Sequence, residues 1–268
     1  MKIFISADIE GSIGVLDGCE CRHGNEEYER ARRYMTEEVA AASRGAYGAG
    51  ANEVVIKDAH GTGRNIIIDD LPEEVEVIRG WSGHPFTMLQ DLDATFDGVI
   101  FTGYHSGAGI GGNPLAHTIS GGVVQEIRIN GEKASEYLIN SYTASYVGVP
   151  VIYVCGDKKL IEEVEGHKLG VKTLAVKEGS GGSVRGVSLK KGIGLIEEGV
   201  AQAVREIENI RKMEFPKEFK LELIFKSEAQ AVRGGFYPGM RRSGAYEVEG
   251  VFTDYFDLLR ALMFLIRG

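Results

Sequence analysis

The sequence has little cysteine, proline or positive charge. Among 268 residues it has three cysteines, six prolines and 30 Lys and Arg against 39 Asp and Glu, for a formal net charge of −9. Because a nucleic-acid backbone requires clustered cations, this balance argues against a nucleic-acid partner. Cys19 and Cys21 are too close for an ordinary disulfide, and no second such pair exists to complete a metal site. We therefore interpret the cysteines as reduced thiols of a cytosolic protein.

Long apolar runs are also missing. No segment approaches the roughly 20 consecutive apolar residues that cross a bilayer. The N-terminal sequence MKIFISADIEG meets the acidic Asp8 too early to form the apolar core of a secretory signal. We therefore expect a cytoplasmic protein that has no membrane partner. The apolar content of 43% and the charged content of 26% are typical of a globular protein.

Glycine, in contrast, is abundant: the 37 glycines predict many tight turns. Short β-branched runs alternate with amphipathic segments along the chain. KIFISAD predicts a first strand, and residues 26–50 predict a helix because apolar residues recur there every three or four positions. Further strands are predicted at EVVIKDAH, VEVIRG, DGVIFTGYH and VPVIYVCGD. This alternation predicts an α/β fold with a mostly parallel sheet covered by helices.

The pattern changes near residue 178. Before that point, Asn130-Gly131 predicts a hairpin turn. After the loop EGSGGS, a helix is predicted over 189–213, followed by the strands FKLELIFK and AYEVEGVFT and a closing helix. We therefore predict a larger α/β domain over 1–178, which carries the candidate site described below. A smaller α+β subdomain over 179–268 would complete the fold and contribute to an oligomer interface, for which Phe236, Tyr237 and Phe256 are candidates.

Three predicted strands end in side chains that can bind a metal. The first ends in Asp8 and Glu10, the second in Asp58 and His60, and the fourth in His105. Taken alone, each has an ordinary structural explanation, such as a helix cap or a hydrogen-bonded histidine. Together they are expected at one edge of the sheet, where sites of parallel sheets lie. Carboxylate and imidazole donors suit zinc, manganese or iron, and the lack of thiolates argues against a closed structural zinc site.

The proximity of Asp8 and Glu10 itself requires an explanation. Residues i and i+2 of a strand point to the same face, so the two carboxylates repel each other. A divalent cation would offset that repulsion and keep both ionised. A salt bridge to Lys57, or to an arginine of the first helix, is the alternative, and it accounts for one carboxylate more easily than for two.

The stretch GAGIGG, residues 107–112, matches the spacing of a dinucleotide-binding loop. That function requires a helix to open inside the loop, so that its N-terminus meets the pyrophosphate. Pro114, β-branched residues and paired glycines follow instead, which disfavours a helix. A mobile loop that carries His117 over the metals is the preferred interpretation.

Five blocks of the sequence resemble one family in order and spacing. They are SADIEG, KDAHG at 57–61, GYHSGAG at 103–109, AHTISG at 116–121 and SEYLIN at 135–140. These blocks are similar to those of the DppA-type D-aminopeptidases, dinuclear zinc peptidases with the signature S-x-D-x-E-G. The similarity covers most of the chain and thins after about residue 178. The resemblance implies hydrolysis of short peptides or amides that begin with a D-amino acid.

The resemblance also implies roles for individual residues. Two zinc ions per subunit are expected, with Asp8 as their bridging ligand and with further ligands at Glu10, His60, His105 and Glu136. His117 is the expected catalytic residue, and Asp58 and Asn140 are candidates to orient the ligands. Glu132, four residues earlier, is an alternative to Glu136 as the metal ligand. His23, His84 and His167 have no counterpart in the family, so surface or structural roles are expected for them.

The implied mechanism is metal-assisted hydrolysis. Two zinc ions would polarise the scissile carbonyl and lower the pKa of a bridging water from about 15.7 to roughly 7, producing the attacking hydroxide. His117 would then act as general base, proton shuttle or nucleophile, and the sequence leaves these roles open. The family also implies a homo-oligomer, a decamer of stacked pentameric rings, that encloses its active sites and acts on small peptides.

Three other functions remain open. The chain could be a metal-dependent hydrolase of another amide or of a phosphoester, with Arg64, Arg79 and Arg185 as available cations. It could be a non-catalytic cytosolic peptide-binding protein linked to dipeptide transport, which would not need His117. The third alternative is that the metals have only a structural role. Five oxygen and nitrogen ligands argue against it. The preference for D over L substrates follows only from the resemblance.

Overall fold

The computed structural model describes residues 1–267. Its twelve strands are β1 (Lys2–Ala7), β2 (Glu53–Asp58), β3 (Glu76–Ile78), β4 (Gly98–Tyr104), β5 (Val124–Ile129), β6 (Glu132–Lys133), β7 (Val151–Asp157), β8 (Lys172–Ser180), β9 (Ser183–Gly186), β10 (Phe219–Phe225), β11 (Met240–Arg242) and β12 (Glu247–Phe252). The α-helices of the same residues are α1 (Glu26–Gly48), α2 (Glu136–Tyr146), α3 (Lys158–Gly166), α4 (Leu189–Arg205), α5 (Glu228–Gly234) and α6 (Tyr255–Ile266).

Sheet A has seven strands in the order β3-β2-β1-β4-β7-β8-β9. All neighbours in it run parallel except β8 and β9, which form an antiparallel hairpin. The chain first builds outward from β1 through β2 to β3, and then crosses back to add β4 and β7 on the other side. This reversal between β1 and β4 creates a crevice at the carboxyl ends of the strands, where ligands of such sheets bind.

Sheet B has five antiparallel strands in the order β11-β12-β10-β5-β6. The β5–β6 turn has positive φ at Asn130 (53°) and Gly131 (83°), as the predicted Asn-Gly hairpin requires. Strand β10 pairs with β5, so the hairpin lies in the same sheet as strands near the end of the chain. The smaller sheet is therefore assembled from distant parts of the sequence.

The alternation along β1 divides the core in two. Ile3 and Ile5 face a cluster formed with α1 and α4, whereas Phe4 faces the opposite cluster, formed with α2, α3, α6 and sheet B. Both faces of sheet A are thus covered, which explains why its strands are apolar on both sides. Burial of both faces of the central strands β1, β4 and β7 leaves the ends of these strands as the positions where a site can form.

The predicted α/β class, with a mostly parallel sheet and a smaller α+β part, is confirmed. The helix predicted over 189–213 ends earlier, at Arg205, because the chain turns there and Ile210 packs into the core. The proposed boundary at 178 falls inside β8, and sheet B takes strands from both sides of it. The division into domains 1–178 and 179–268 remains a prediction. None of the helices in the described part of the chain has the length and apolarity that crossing a membrane requires.

Candidate metal centre

Three neighbouring strands bring the predicted ligands together. In sheet A, β1 lies between β2 and β4, and Ala7 is in register with both Asp58 and Thr102. Asp8, His60 and His105 follow these strands directly or by one residue. Because the strands are parallel, their ends meet at one edge of the sheet, as the sequence predicted.

Two glycines let the ends of β1 and β4 touch. A Cβ atom on Gly11 would lie 1.7 Å from the carbonyl oxygen of Tyr104, and one on Gly103, whose φ is +64°, would lie 2.1 Å from the carbonyl oxygen of Asp8. The Gly11 N–H donates to the Gly103 carbonyl at 2.8 Å. The final glycine of SADIEG is therefore required by the contact between two backbones.

Asp8, Glu10 and His60 form a first group of candidate ligands. His60 Nδ1 lies 3.1 Å from Asp8 Oδ1 and 2.9 Å from Glu10 Oε2. All three residues are buried or nearly so, and they come from the ends of only two strands.

His105, His117 and Glu136 form a second group. His105 Nε2 lies 3.5 Å from Glu136 Oε2, and His117 Nε2 lies 3.8 Å from Glu136 Oε1. The rings of the two histidines stack with their centroids 4.5 Å apart. Glu136 is the first residue of α2, which is capped by the Ser135 hydroxyl. This group thus joins a strand end, a loop and a helix N-terminus.

Asp8 connects the two groups. Its Oδ1 faces His60, whereas its Oδ2 lies 3.7 Å from His105 Nε2. A carboxylate with one oxygen toward each group has the arrangement of a bridging ligand. The geometry therefore agrees with the bridging position predicted for Asp8, and the assignment itself remains a prediction.

Backbone carbonyls fix the tautomers of all three histidines. Because a carbonyl oxygen only accepts, the ring nitrogen beside it must donate. His60 Nε2 donates to Cys21 O at 2.8 Å, His105 Nδ1 to Ser106 O at 2.9 Å, and His117 Nδ1 to Leu115 O at 2.9 Å. In each ring the other nitrogen faces the carboxylates. This is the outer arrangement typical of metal-bound histidines.

The electrostatics of the first group require a cation or bound protons. Burial, followed by the charge of Glu10, raises the pKa of Asp8 well above its ordinary value. Burial also acts to raise the pKa of Glu10, but His60 outweighs it and holds that pKa well below its usual range. The pKa of His60, which burial would lower, is raised well above normal mainly by Glu10 and by its hydrogen bond to Asp8. A bound dication would replace the protons that these groups otherwise hold.

The donor atoms fit metal ions. Three buried atoms that could bind a metal, Glu10 Oε2, His105 Nε2 and Glu136 Oε2, make no well-aligned hydrogen bond, although His60 Nδ1 lies 2.9 Å from Glu10 Oε2. Two ligands at about 2.1 Å from a tetrahedral ion lie about 3.4 Å apart. The donor separations within the two groups, 2.9 to 3.8 Å, bracket that value. The mixture of carboxylate and imidazole suits zinc and also manganese or iron.

A buried lysine holds the loop that carries the first group. Lys177 Nζ donates to the carbonyls of Glu10 at 2.6 Å, Ser12 at 3.0 Å and Val15 at 2.5 Å. On the same loop, residues 8–15, the Ile13 N–H donates to Glu38 Oε1 at 2.7 Å. The loop is thus fixed by two ionisable side chains, Lys177 and Glu38, that lie outside it in the sequence.

The two residues predicted to orient the ligands act less directly. Asp58 accepts hydrogen bonds from the backbone N–H groups of Asn65 and Ile66 and from the Asn65 side chain, which also donates to the His60 carbonyl. Asn140 donates to the Tyr104 hydroxyl at 3.0 Å. Asp58 therefore organises the segment after His60. The role predicted for these two residues remains a prediction.

The rival residues lie outside the two groups. Glu132 is on the exposed hairpin strand β6, 3.9 Å from His167 Nε2. His84 contacts Phe86 and Phe256, and His23 lies against Tyr28. Sequence reasoning missed Lys177 and the three carbonyls that orient the histidines. No local pattern could reveal these contacts, because they join distant segments or use the backbone.

Two cavities open on the site from different sides. The larger, about 750 Å³, is bordered by the loop that carries His117 and also by Arg22 and Lys226. The smaller, about 420 Å³, is lined by Trp81 and Arg267 and by ligands of both groups. Both touch Glu10, His60 and His117. Their volumes fall in the range of small-molecule sites.

A family of peptidases matches this chain over most of its length. A family model described as D-aminopeptidase matches residues 1–264. A D-aminopeptidase of Bacillus subtilis (strain 168) is 32% identical over 265 residues, which cover 98% of this chain and 96% of the relative.

A solved structure gives the same result. It is described as the Zn-dependent D-aminopeptidase DppA from Bacillus subtilis, a self-compartmentalizing protease. It superimposes with a TM-score of 0.92 at 31% identity and covers 100% of this chain and 97% of its own. The chain belongs to the D-aminopeptidase family, as its five sequence blocks predicted.

Proposed function

We propose that this protein is a zinc-dependent aminopeptidase that removes an N-terminal D-amino acid from short peptides or amides. The observation that carries the proposal is the pair of ligand groups that share Asp8 at one sheet edge. Membership of the D-aminopeptidase family supports the reaction, and the Zn-dependent relative supports the metal.

The geometry supports an assignment of the residues that would hold the two ions. Asp8, Glu10 and His60 would bind one zinc, and Asp8, His105 and Glu136 the other. Bound zinc supplies Lewis-acid polarisation of a carbonyl and an acidified water. The carbonyls of Cys21 and Ser106 keep the free nitrogens of His60 and His105 directed at these positions.

His117 is the proposed proton-transfer residue. Its Nδ1–H is held by the Leu115 carbonyl, so its Nε2 is the nitrogen that can accept and return a proton. It is less buried than His105 and borders both cavities, where a substrate would lie. The same Nε2 is also close enough to Glu136 to act as an additional ligand. Metal content of a variant separates these two roles.

We propose that the protein works in the cytoplasm as a homo-oligomer of stacked pentameric rings that encloses its active sites. The self-compartmentalizing relative supports an assembly of this kind. Phe236, with 84% of its surface exposed, is available for such an interface, whereas Tyr237 and Phe256 pack partly against the core. Light scattering of the purified chain tests this: a mass near ten chains supports the proposal, and a monomer contradicts it.

The test of function is hydrolysis of matched D-alanyl and L-alanyl p-nitroanilides by zinc-loaded protein. We expect a D-selective rate that falls by about 10²–10⁴-fold in His117→Ala, because general-base catalysis contributes about that factor. The variant should keep the metal content of the original protein. His167→Ala, which changes a histidine near Glu132 on the hairpin, is the matched control and should remain active. Turnover of neither substrate by fully metal-loaded protein would reject the aminopeptidase proposal.

A further inference from the structure

The smaller cavity contains a cation that the proposed chemistry does not use. Arg267, directly after α6, lines this cavity together with five predicted site residues: Asp8, Glu10, His60, His117 and Glu136. The carboxylates of Glu136 and Asp8 are near enough to interact electrostatically with its guanidinium. The side chain is exposed, so a ligand can reach it.

Arg267 rests on a fixed aromatic platform. Its Cζ lies 4.4 Å from the centroid of the Trp81 ring. The Trp81 indole N–H donates to the Gly61 carbonyl at 2.9 Å, next to His60, and the buried Lys57 Nζ lies 4.2 Å from the same ring. Stacking holds the plane of a guanidinium but leaves its N–H groups available. Within residues 1–267, no carboxylate forms an ion pair with Arg267.

We propose that Arg267 binds the C-terminal carboxylate of the substrate and makes the enzyme select free dipeptides. The proposal rests on the proposed aminopeptidase function, which puts the scissile carbonyl at the metal centre. One residue spans at most about 3.6 Å, so the carboxylate of a dipeptide stays in the cavity that holds that carbonyl. In a longer peptide or an amide this position holds no charge. A guanidinium binds a carboxylate with two parallel hydrogen bonds, which gives both affinity and orientation.

The other cations near the site are less suited to bind the carboxylate of the substrate. Arg22 and Lys226 border the larger cavity. Lys226 Nζ already donates to the Gly121 carbonyl, and Arg22 acts electrostatically on Asp17, which lies outside both ligand groups. Arg267 instead lies in the electrostatic range of Asp8 and Glu136. It is therefore the arginine that lines a cavity together with ligands of both groups.

The test compares D-alanyl-D-alanine with D-alanyl-D-alaninamide as substrates of zinc-loaded protein. A charged hydrogen-bonded contact corresponds to about 10- to 100-fold in affinity. We expect Arg267→Gln to lose about that factor in kcat/KM for the free dipeptide, mainly through KM. The amide should change by less than about twofold on the same scale. Arg267→Lys should recover part of the loss, because it keeps the charge and not the fork geometry.

Two controls make the result specific. Arg260→Gln changes an arginine of α6 that pairs with Asp257 outside the cavity, and it should leave both substrates unaffected. Arg22→Gln tests the rival cation. Equal losses on both substrates in Arg267→Gln, or a selective loss in Arg22→Gln alone, would overturn the assignment.

Equilibrium binding separates this proposal from the proposed function. Calorimetric titration with dipeptide and amide is carried out in the zinc-loaded His117→Ala background, with Arg267 intact or changed to Gln, because the slow turnover of that background separates recognition from hydrolysis. Selective binding of the free acid that Arg267→Gln abolishes supports the carboxylate site, even if neither compound is hydrolysed and the aminopeptidase reaction fails. Equal affinity of the His117→Ala protein with Arg267 intact for the acid and the amide rejects the site.

Discussion

The two groups of candidate metal ligands are built in different ways. The first group, Asp8, Glu10 and His60, comes from the ends of two adjacent strands, and its contacts are 2.9 and 3.1 Å long. The second group, His105, His117 and Glu136, joins a strand end, a loop and a helix, and its contacts are 3.5 and 3.8 Å long. Sheet register fixes the first group, whereas the second depends on how a loop and a helix dock. The first should therefore keep its geometry under changes that disturb the second.

Asp8→Asn should have the largest effect, because Asp8 is the residue that faces both groups. Loss of the bridging charge should empty both sites and lower kcat on the order of 10³-fold, which corresponds to several kcal/mol of transition-state stabilisation. Metal analysis by mass spectrometry and steady-state kinetics check this. Asp93→Asn, an exposed aspartate far from the site, is the control, and a fully loaded Asp8→Asn protein would refute the bridging role.

Lys177→Met should weaken the first group selectively. The substitution removes three hydrogen bonds to the loop that carries Asp8 and Glu10. Changes outside the ligands typically cost about 10- to 100-fold in metal affinity. Competition with a chromogenic chelator should show one of two zinc ions leaving more easily. Lys158→Met, which removes an exposed ion pair with Glu178, should not change the affinity. An equal weakening of both ions would contradict the comparison.

Glu38→Gln should change the pH dependence of stability through the same loop. Burial raises the pKa of Glu38 to about 7, and the nearby Lys177 ammonium opposes that rise in part. The folded carboxyl therefore keeps a proton that the unfolded chain releases above its own pKa of about 4.3. The stabilisation is fully present below that pH and is lost as the pH rises through about 7.

In Glu38→Gln, the loss of stability that comes from the titration of Glu38 should disappear. Urea unfolding at pH 5 and pH 8 should show a fall in unfolding free energy that is smaller in Glu38→Gln than in the original protein by an amount on the order of 2 kcal/mol. The amide oxygen can still accept the Ile13 N–H. Glu197→Gln, at an exposed ion pair with Arg44, is the control and should keep the original pH dependence.

Thr118→Val should have the smallest effect of these substitutions, and the effect should be confined to the second ligand group. The buried Thr118 hydroxyl donates to the Ala134 carbonyl at 2.8 Å and accepts the Ala108 N–H at 3.0 Å, next to His117 and close to Glu136. Losing both should cost about 1–3 kcal/mol of stability. The affinity for the second zinc and the value of kcat should fall several-fold, and the first zinc should be unchanged. Thr173→Val, which removes a hydroxyl of β8 that donates to Glu165, is the control.

The sequence predicted the first group more securely than the second. Strand ends alone brought Asp8, Glu10, His60 and His105 to one edge of the sheet, because parallel strands share an end. Glu136 and His117 followed only from the family resemblance. Their positions depend on the docking of α2 and of a loop, which local patterns do not encode.

The fold likewise has contacts that local sequence patterns do not predict. The Asn130-Gly131 turn was predicted from two residues, yet the pairing of β5 with β10 was not, because the partner strand lies about 90 residues later. The contact of Lys177 with Glu10 was not predicted either, because 167 residues separate the two along the chain. Long-range contacts of this kind depend on the complete packing of both cores.

The contact of Gly11 with the end of β4 has a consequence for how this site can diversify. Since two main chains meet there without side chains between them, the spacing of Asp8 from His105 is set by the backbone. Ligand side chains can then be exchanged while the distance between the two ion positions stays constant. A change in metal preference is therefore open to single substitutions in the two groups, whereas a change in the separation of the ions would require a different sheet.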